Sequence, residues 1–263
     1  MGLLQNYILE VCVDSVESAI QAQQGGANRL ELCGNLIIGG TTPSIHLYNE
    51  VRKHTTIPIR VLIRPRFGDF LYSNYEFEIM KNEVMMYRKA KIDGVVIGCL
   101  QSDGMLDMNR MANLITIANG MKITVNRAFD MLKNPIEALE KMKQLGIDTV
   151  LTSGQKQCCL EGALLIQQLI EQSERKINIM IGAGVNARVI EQMMVRTNAT
   201  QFHMSGKIAL DSLMVYRKEG ISMGFPYFSE YQILQTKMQN IEDAKNIILT
   251  KSINQLQVQG GFH

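Results

Sequence analysis

Short apolar runs alternate with segments of helical periodicity along most of the chain. Eight of these runs have the length and composition of β-strands, at residues 7–12, 29–33, 59–64, 94–98, 122–126, 148–152, 177–181 and 200–204. Helical patterns lie between them. Regular alternation of this kind predicts a parallel sheet covered by helices, and eight units match a closed barrel better than an open sheet. The predicted fold is therefore an α/β, single-domain TIM-type (β/α)8 barrel.

Capping residues support several of the predicted helices. Asp14 or Ser15 precedes the first helical pattern, and two glycines, Gly25 and Gly26, follow it. The segment that begins at Ser73 and has Glu76 three positions later is a capping-box pattern, and it opens a helix that we expect to reach about residue 91. Asn186 is placed to cap the seventh helix.

The end of the chain departs from the β-α alternation. Residues 206–228 contain three glycines and Pro226 and predict a loop, and a helical pattern opening at Ser229 and Glu230 runs to about residue 251. No low-complexity linker interrupts the chain. We therefore expect one domain over residues 1–263, with the barrel at about 7–228 and a C-terminal helical segment at about 229–263.

Composition narrows the functional class. The 263 residues are 46% hydrophobic and 20% charged, with a net charge of +2. These values are typical of a globular domain and argue against a nucleic-acid or membrane partner. Residues 1–13 lack the basic start of a signal peptide, which favours the cytoplasm. The five cysteines are an odd number without a disulfide-scaffold spacing, so we expect them to be free thiols.

A Leu-Glu-x-Cys pattern occurs in both of the first two predicted strands. Glu10 and Cys12 lie in one copy, and Glu31 and Cys33 lie in the other. Side chains two positions apart share a face of a strand, so each glutamate points the same way as its cysteine. Two thiolates on neighbouring strands could bind a soft ion such as Cu(I). The alternatives are a disulfide, which a reducing compartment disfavours, or two small buried side chains.

The glutamates of the two copies need partners if they are buried. One interpretation is structural pairing with Arg64, Arg127 or backbone N–H groups. The other is general acid–base chemistry, with burial raising one pKa. The two interpretations are compatible.

The carboxyl ends of the other strands add further candidates, because barrel active sites lie at that face. Asp130 and His203 join the two glutamates as candidate catalytic residues, although a histidine inside a strand is often a core residue. Candidate anion- or phosphate-binding residues are Arg64, Arg66, Arg127, Ser153, Gly182, Gly184, Asn186, Ser205 and Gly206. The glycines are equally consistent with tight turns.

Several of these motifs together resemble the CutC copper-homeostasis family. They are LEVCVDS at 9–15, GANRLELC at 26–33, GGTTPS at 39–44, IRPR at 63–66, RAFD at 127–130, LTSG at 151–154 and FHMSG at 202–206. The resemblance implies a cytoplasmic TIM-type barrel linked to copper and often oligomeric. It also implies Cys12 and Cys33 as the proposed Cu(I) ligands. No reaction is established for the family.

Three positions depart from the family pattern. Asn126 stands where histidine usually precedes the Arg-Ala-Phe-Asp motif, Ile38 replaces a glutamate, and Ala183 interrupts a glycine triplet. Two functions therefore remain open: a copper-homeostasis protein, or a barrel enzyme acting on a small anionic or phosphorylated metabolite. The expected ligand is a copper ion or such a metabolite. No organic cofactor is indicated, and we expect a homo-oligomer.

Overall fold

Eight parallel strands form the centre of the molecule. The computed structural model describes residues 7–224 and 228–260, with side chains described to residue 252. The strands are β1 (Ile8–Val13), β2 (Arg29–Leu32), β3 (Ile59–Leu62), β4 (Gly94–Ile97), β5 (Lys122–Val125), β6 (Thr149–Thr152), β7 (Asn178–Ile181) and β8 (Gln201–Met204). Each overlaps one of the predicted strands. The ends of the predicted domain, at residues 1–6 and 261–263, lie outside the described residues.

The strands pair in sequence order, and β8 closes the sheet against β1. The predicted (β/α)8 barrel is therefore confirmed. Cys12 lies opposite Glu31 across the β1–β2 pair, and Glu10 lies opposite both Arg29 on β2 and His203 on β8. This register collects polar side chains inside one sector of the barrel.

Helices cover the outside of the barrel. They are α1 (Val16–Gln24), α2 (Ile45–His54), α3 (Asn74–Lys89), α4 (Met108–Ala118), α5 (Pro135–Gln144), α6 (Ala163–Ser173) and α7 (Ala187–Thr197). Ser15 caps α1, Ser73 and Glu76 form the predicted capping box of α3, and Asn186 caps α7. Short 3-10 helices at Leu36–Ile38 and Arg127–Met131 follow β2 and β5.

The two faces of the barrel strands bury different chemistry. The outward residues, such as Leu9, Val11 and Leu30, belong to a large apolar core between the sheet and the helices. The inward residues include a small separate cluster at the carboxyl end, formed by Cys12, Cys33, Leu62 and Val96. Charged side chains are also buried inside the barrel, so its interior holds an unusual amount of polar surface.

The C-terminal part differs from the prediction. Residues 206–228 were expected to be a loop and the helix to start at Ser229, but β9 (Lys207–Asp211) and β10 (Gln232–Thr236) form an antiparallel pair, and α8 (Met238–Gly260) starts later. The strand conformation of β10 depends on pairing with β9 across a long connection, which local periodicity does not reveal. None of the helices in the described part of the chain is both long and apolar enough to cross a membrane.

Candidate functional site

The two repeated cysteines meet inside the carboxyl end of the barrel. Cys12 lies on β1 and Cys33 directly follows β2, and their Sγ atoms are 3.7 Å apart. Both residues are buried free thiols. The hydrogen bond to Cys33 and burial, together with the charges of Cys33 and Glu31, raise the pKa of the Cys12 thiol well above its ordinary value. The two sulfurs are therefore already in contact, and the Cys12 thiol is protonated near neutral pH.

Glu10 lies deeper in the barrel and is fully buried. Its Oε2 accepts a hydrogen bond of 2.5 Å from Arg29 Nε, and its Oε1 lies 2.8 Å from His203 Nδ1. Burial raises the pKa of Glu10, but the Arg29 charge and the His203 contact outweigh it and leave that pKa well below its usual range. Glu10 is therefore a charged carboxylate with partners on both neighbouring strands.

The arginines expected to pair with the glutamates do not do so. Arg29 is the residue that pairs with Glu10, and it lies at the beginning of β2. The sequence prediction considered only the carboxyl ends of the strands and therefore did not include Arg29. Arg29 lies two residues before Glu31, so it is on the same inward face of the strand. Arg60 was missed for the same reason; its Nη1 donates to the hydroxyls of Thr124 and Thr149, and burial and the Arg29 charge lower its pKa to about 10.

Glu31 and His203 lie between the Glu10–Arg29 pair and the two thiols: Glu31 contacts Cys12, and His203 contacts Glu10. Glu31 Oε1 accepts a contact of 3.5 Å from Cys12 Sγ, whereas Glu31 Oε2 is buried without a hydrogen-bond partner. Burial, with a smaller contribution from the Glu10 charge, raises the Glu31 pKa against the attraction of His203. Burial lowers the His203 pKa, but the Glu31 and Glu10 carboxylates outweigh it and raise that pKa overall.

Three potential metal ligands converge at this point. The sulfur of Cys12, a carboxylate oxygen of Glu31 and a ring nitrogen of His203 all lie within 4.8 Å of one another. Sulfur, oxygen and nitrogen donors in one cluster can hold a metal ion or share a proton.

A cavity of about 400 Å³, here called the rim cavity, opens beside this cluster. Its polar lining includes Cys12, Glu31, Arg64, Asn126, Arg127, His203, Ser205 and Lys207, and its apolar lining includes Leu36, Leu62, Phe70, Leu151 and Val185. Three buried polar atoms of lining residues have no partner: Glu31 Oε2, Arg64 Nε and Asn126 Nδ2. Unpaired buried polar atoms are costly, so they indicate a place for a ligand or water.

Of the predicted arginines, Arg64 lines the rim cavity and Arg66 does not. Arg64 lines the rim cavity and also donates to the carbonyls of Gly39, Gly40 and Gly68, which fixes the loops after β2 and β3. Arg66 instead pairs with Asp69 and Glu76 at the start of α3, outside the cavity lining.

Arg127 lines the rim cavity and is tied to two of the other candidates. Its Nε donates to Asp130 at 2.7 Å, and its Nη2 donates to the Ser153 hydroxyl at 2.9 Å. Asp130 also accepts from the Thr152 hydroxyl at 2.5 Å and from the Ser153 backbone. Asp130 and Ser153 do not line the cavity, so they position Arg127 and the loop after β6.

The loops after β7 and β8 supply the remaining candidates. Gly184 and Ser205 line the rim cavity, and Asn186 and Gly206 line a neighbouring cavity of about 440 Å³. Gly182 lies behind them; a Cβ placed there would be 2.8 Å from Leu151. Ala183 has a φ of +71°, which explains why a glycine suits this position.

Comparison with known proteins gives a consistent result. The model of the CutC family matches residues 7–208. A copper homeostasis protein cutC homolog of Homo sapiens is 41% identical over 253 residues, covering 94% of this chain and 93% of the relative. A family protein CutC of Bacteroides fragilis is 41% identical over 244 residues, covering 91% and 96%.

Solved structures agree on the fold. The putative copper homeostasis protein CutC from Streptococcus agalactiae superposes with a TM-score of 0.72 at 27% identity, covering 76% of this chain and 98% of that one. Thiamine phosphate pyrophosphorylase from Pyrococcus furiosus has a TM-score of 0.57 at 15% identity, which supports the barrel fold alone.

Proposed function

This chain belongs to the CutC family, and from that premise we propose that it is a copper-homeostasis protein that binds Cu(I) through the thiolates of Cys12 and Cys33. The observation that carries the proposal is the 3.7 Å separation of the two sulfurs. Thiolates are the protein ligands that favour Cu(I) over harder cations.

The spacing fits one shared ion. A metal–thiolate bond is about 2.3 Å long, so two sulfurs bridged by one ion lie at most about 4.6 Å apart. The observed distance is within that limit, and the side chains have little distance to move. Cys12 lines the rim cavity and Cys33 lies behind it, so an ion that enters through the cavity meets Cys12 first.

A titration of the reduced protein with Cu(I) against a competing chelator tests this proposal. The parent should bind one ion per chain, and the variant carrying both Cys12→Ser and Cys33→Ser should lose more than the ~100-fold that loss of a supporting group costs a metal site. Cys158→Ser, which removes a thiol outside the cluster, is the matched control. Equal affinity in the double variant and the parent contradicts the proposal.

A second function is supported by a separate observation, the rim cavity with its unpaired polar atoms. In this alternative the protein is a barrel enzyme that acts on a small anionic or phosphorylated metabolite. Arg64 and Arg127 hold the anion, the loops at Gly184 and Ser205 contact a phosphate, and Glu31 or His203 transfers a proton.

A thermal-shift screen of phosphorylated and carboxylated metabolites tests the enzyme alternative. A compound that binds the cavity should raise the midpoint of unfolding of the parent, and Arg127→Met should reduce that shift. Arg66→Met, which removes an arginine outside the cavity, should leave the shift unchanged. A screen without any stabilising anion counts against this function.

We also propose that the protein is located in the cytoplasm, because its described cysteines are free thiols and Cu(I) binding needs them reduced.

We further propose that the protein forms a homo-oligomer. This is supported by apolar side chains that are exposed beside β9, where Leu213 is 98% and Val215 is 99% exposed. Exposed apolar clusters commonly mark contact surfaces.

A further inference from the structure

We propose that Cys12, Glu31 and His203 form a site for a divalent cation of the zinc class, separate in ligand set from the Cu(I) pair. The three donor atoms already lie within 4.8 Å of one another inside the barrel. One thiolate, one carboxylate and one neutral imidazole together carry two negative charges, which a divalent cation neutralises. Borderline cations accept this mixture of sulfur, oxygen and nitrogen, whereas Cu(I) favours sulfur.

The surroundings of His203 are those of a metal ligand. Metal-bound histidines generally donate their second ring N–H to a carboxylate, which fixes the orientation of the ring. His203 Nδ1 is 2.8 Å from Glu10 Oε1, so Nε2 is the ring nitrogen left for a cation. Glu10 is in turn fixed by Arg29 at 2.5 Å, so the supporting carboxylate is itself held in place.

Glu31 provides the second independent indication of a missing ligand. It is 5% exposed, and its Oε2 has no hydrogen-bond partner. Its Oε1 lies 3.5 Å from Cys12 Sγ. Sulfur and oxygen ligands of one tetrahedral zinc ion are also about 3.5 Å apart. A cation that contacts both oxygens of Glu31 would also satisfy Oε2, the buried acceptor that is otherwise unpaired.

The site has three protein ligands and an adjoining space. Cys12, Glu31 and His203 all line the rim cavity, so a fourth coordination position faces that cavity. Three protein ligands with one open position are the arrangement of catalytic zinc sites, in contrast to the four ligands of structural ones. Arg64 and Asn126 line the same cavity, and each has a buried donor without a partner, so a small anion there could contact both the cation and these side chains.

Cys12 belongs to both ligand sets, so a divalent cation and Cu(I) exclude each other. The two sets differ in Cys33, which serves only Cu(I), and in Glu31 and His203, which serve only the divalent cation. This difference separates the failure of this proposal from the failure of the Cu(I) proposal.

Co²⁺ titration of the reduced full-length chain tests the site, because a cobalt–thiolate bond gives a charge-transfer absorption band. The parent and Cys33→Ser should show the band at one Co²⁺ per chain, Zn²⁺ should displace it, and Cys12→Ser should abolish it. Glu10→Gln removes a group that supports the ligand His203 and should weaken Zn²⁺ binding by ~10–100-fold. Glu31→Gln and His203→Asn each remove a ligand and should weaken Zn²⁺ binding at least as much. Both should keep Cu(I) affinity close to that of the parent.

Two outcomes overturn the proposal. One is Zn²⁺ affinity within twofold of the parent in both Glu31→Gln and His203→Asn, each checked for a native circular dichroism spectrum. The other is loss of the cobalt band in Cys33→Ser, which would assign the divalent cation to the two thiols. His46→Asn, a histidine on α2, is the matched control and should not change the titration.

Discussion

At the scale of single residues, the inside of the barrel is organised by charge. Glu10 is fully buried and stays ionised because Arg29 and His203 contact its two oxygens. The repeated Leu-Glu-x-Cys pattern predicts the positions of the carboxylates and thiols, since alternation along a strand fixes which side chains share a face. It does not predict the roles of Arg29 and Arg60, which lie near the beginnings of their strands. Arg29 is opposite Glu10 on the neighbouring strand, whereas Arg60 reaches across the barrel interior to threonines on β5 and β6.

Removing Arg29 tests the importance of its pair with Glu10. Arg29→Met should lower the free energy of unfolding by about 3–5 kcal/mol, because it leaves the buried Glu10 charge without its main partner. Urea denaturation followed by circular dichroism measures the change. Lys53→Met, which removes an exposed partner of Glu50, should leave the midpoint of unfolding unchanged. A loss below about 1 kcal/mol in Arg29→Met would contradict this account of the pair.

Glu31 should make stability depend on pH. Its pKa is raised in the folded protein, mainly by burial, so ionising it costs more in the folded state than in the unfolded state. The parent therefore loses stability as the pH rises above the unfolded pKa and through the raised folded pKa. Glu31→Gln lacks this loss, so its free energy of unfolding relative to that of the parent should increase from pH 4 to pH 8.

Urea midpoints measured across that pH range check the Glu31 prediction. Glu78→Gln, which changes an exposed carboxylate on α3, provides the control and should track the parent at each pH. An advantage of Glu31→Gln that stays constant with pH would contradict the raised pKa.

Ala183 occupies a backbone conformation that glycine tolerates better. Its φ is +71°, and a left-handed residue with a Cβ costs about 1–2 kcal/mol relative to the ordinary conformation. Ala183→Gly should therefore raise the free energy of unfolding by about 1 kcal/mol after the larger entropy of unfolded glycine is included. Ala112→Gly, the same change inside helix α4, should lower it by about 1 kcal/mol. Equal signs for the two variants would contradict the prediction.

At the scale of elements, local patterns locate the barrel and fail at the C-terminus. The eight strands and the caps at Ser15, Ser73 and Asn186 follow from short-range rules, since alternation and capping act within a few residues. The β9–β10 pair requires contacts between residues 207–211 and 232–236. Nothing local distinguishes residues 232–236 from the start of a helix.

Gly25 is a single residue whose main role depends on a distant contact that local patterns do not reveal. The pattern predicts a glycine that ends α1, and Gly25 does cap it, but with an ordinary φ of −69°. The structure shows another reason for the glycine, because a Cβ there would lie 2.7 Å from Ile241 Cβ and from the Met238 carbonyl of α8. The absent side chain allows α8 to pack against α1.

Gly25→Ala should therefore disturb the packing of α8. Forcing a methyl group into this contact should lower the free energy of unfolding by about 1–3 kcal/mol and speed hydrogen exchange along α8. Hydrogen exchange measured by mass spectrometry on peptides around Ile241 and Ile248 reports the local effect. Gly224→Ala, where a Cβ meets nothing within 4 Å, should change neither quantity. Unchanged exchange in Gly25→Ala would show that α8 does not depend on this contact.

At the scale of the whole molecule, barrel closure builds the site. His203 and Glu10 are 193 positions apart in the sequence, and the β1–β8 pairing brings them to 2.8 Å. Predicting the barrel was enough to expect the strand ends to converge. It was not enough to identify which polar atoms stay unpaired in the rim cavity, because that depends on the exact side-chain positions of Glu31, Arg64 and Asn126.

Assembly is the remaining property at this scale. We expect the purified protein to be a homo-oligomer, with the exposed apolar side chains beside β9 buried between copies. Light scattering after size-exclusion chromatography should give a multiple of 29.6 kDa for the parent and a lower mass for Leu213→Lys combined with Val215→Lys. Ile37→Lys, at a partly exposed apolar residue in the 3-10 helix after β2, should keep the parent mass. A monomeric parent would contradict the expectation.

The coordination of Cu(I) shows whether the repeated cysteines bind copper. X-ray absorption spectroscopy on the reduced chain loaded with one equivalent of Cu(I) measures the identity and number of the ligands. We expect two sulfur ligands in the parent and in Cys158→Ser, and the loss of one sulfur in Cys33→Ser. A parent spectrum dominated by nitrogen or oxygen ligands, or one unchanged by Cys33→Ser, would contradict it.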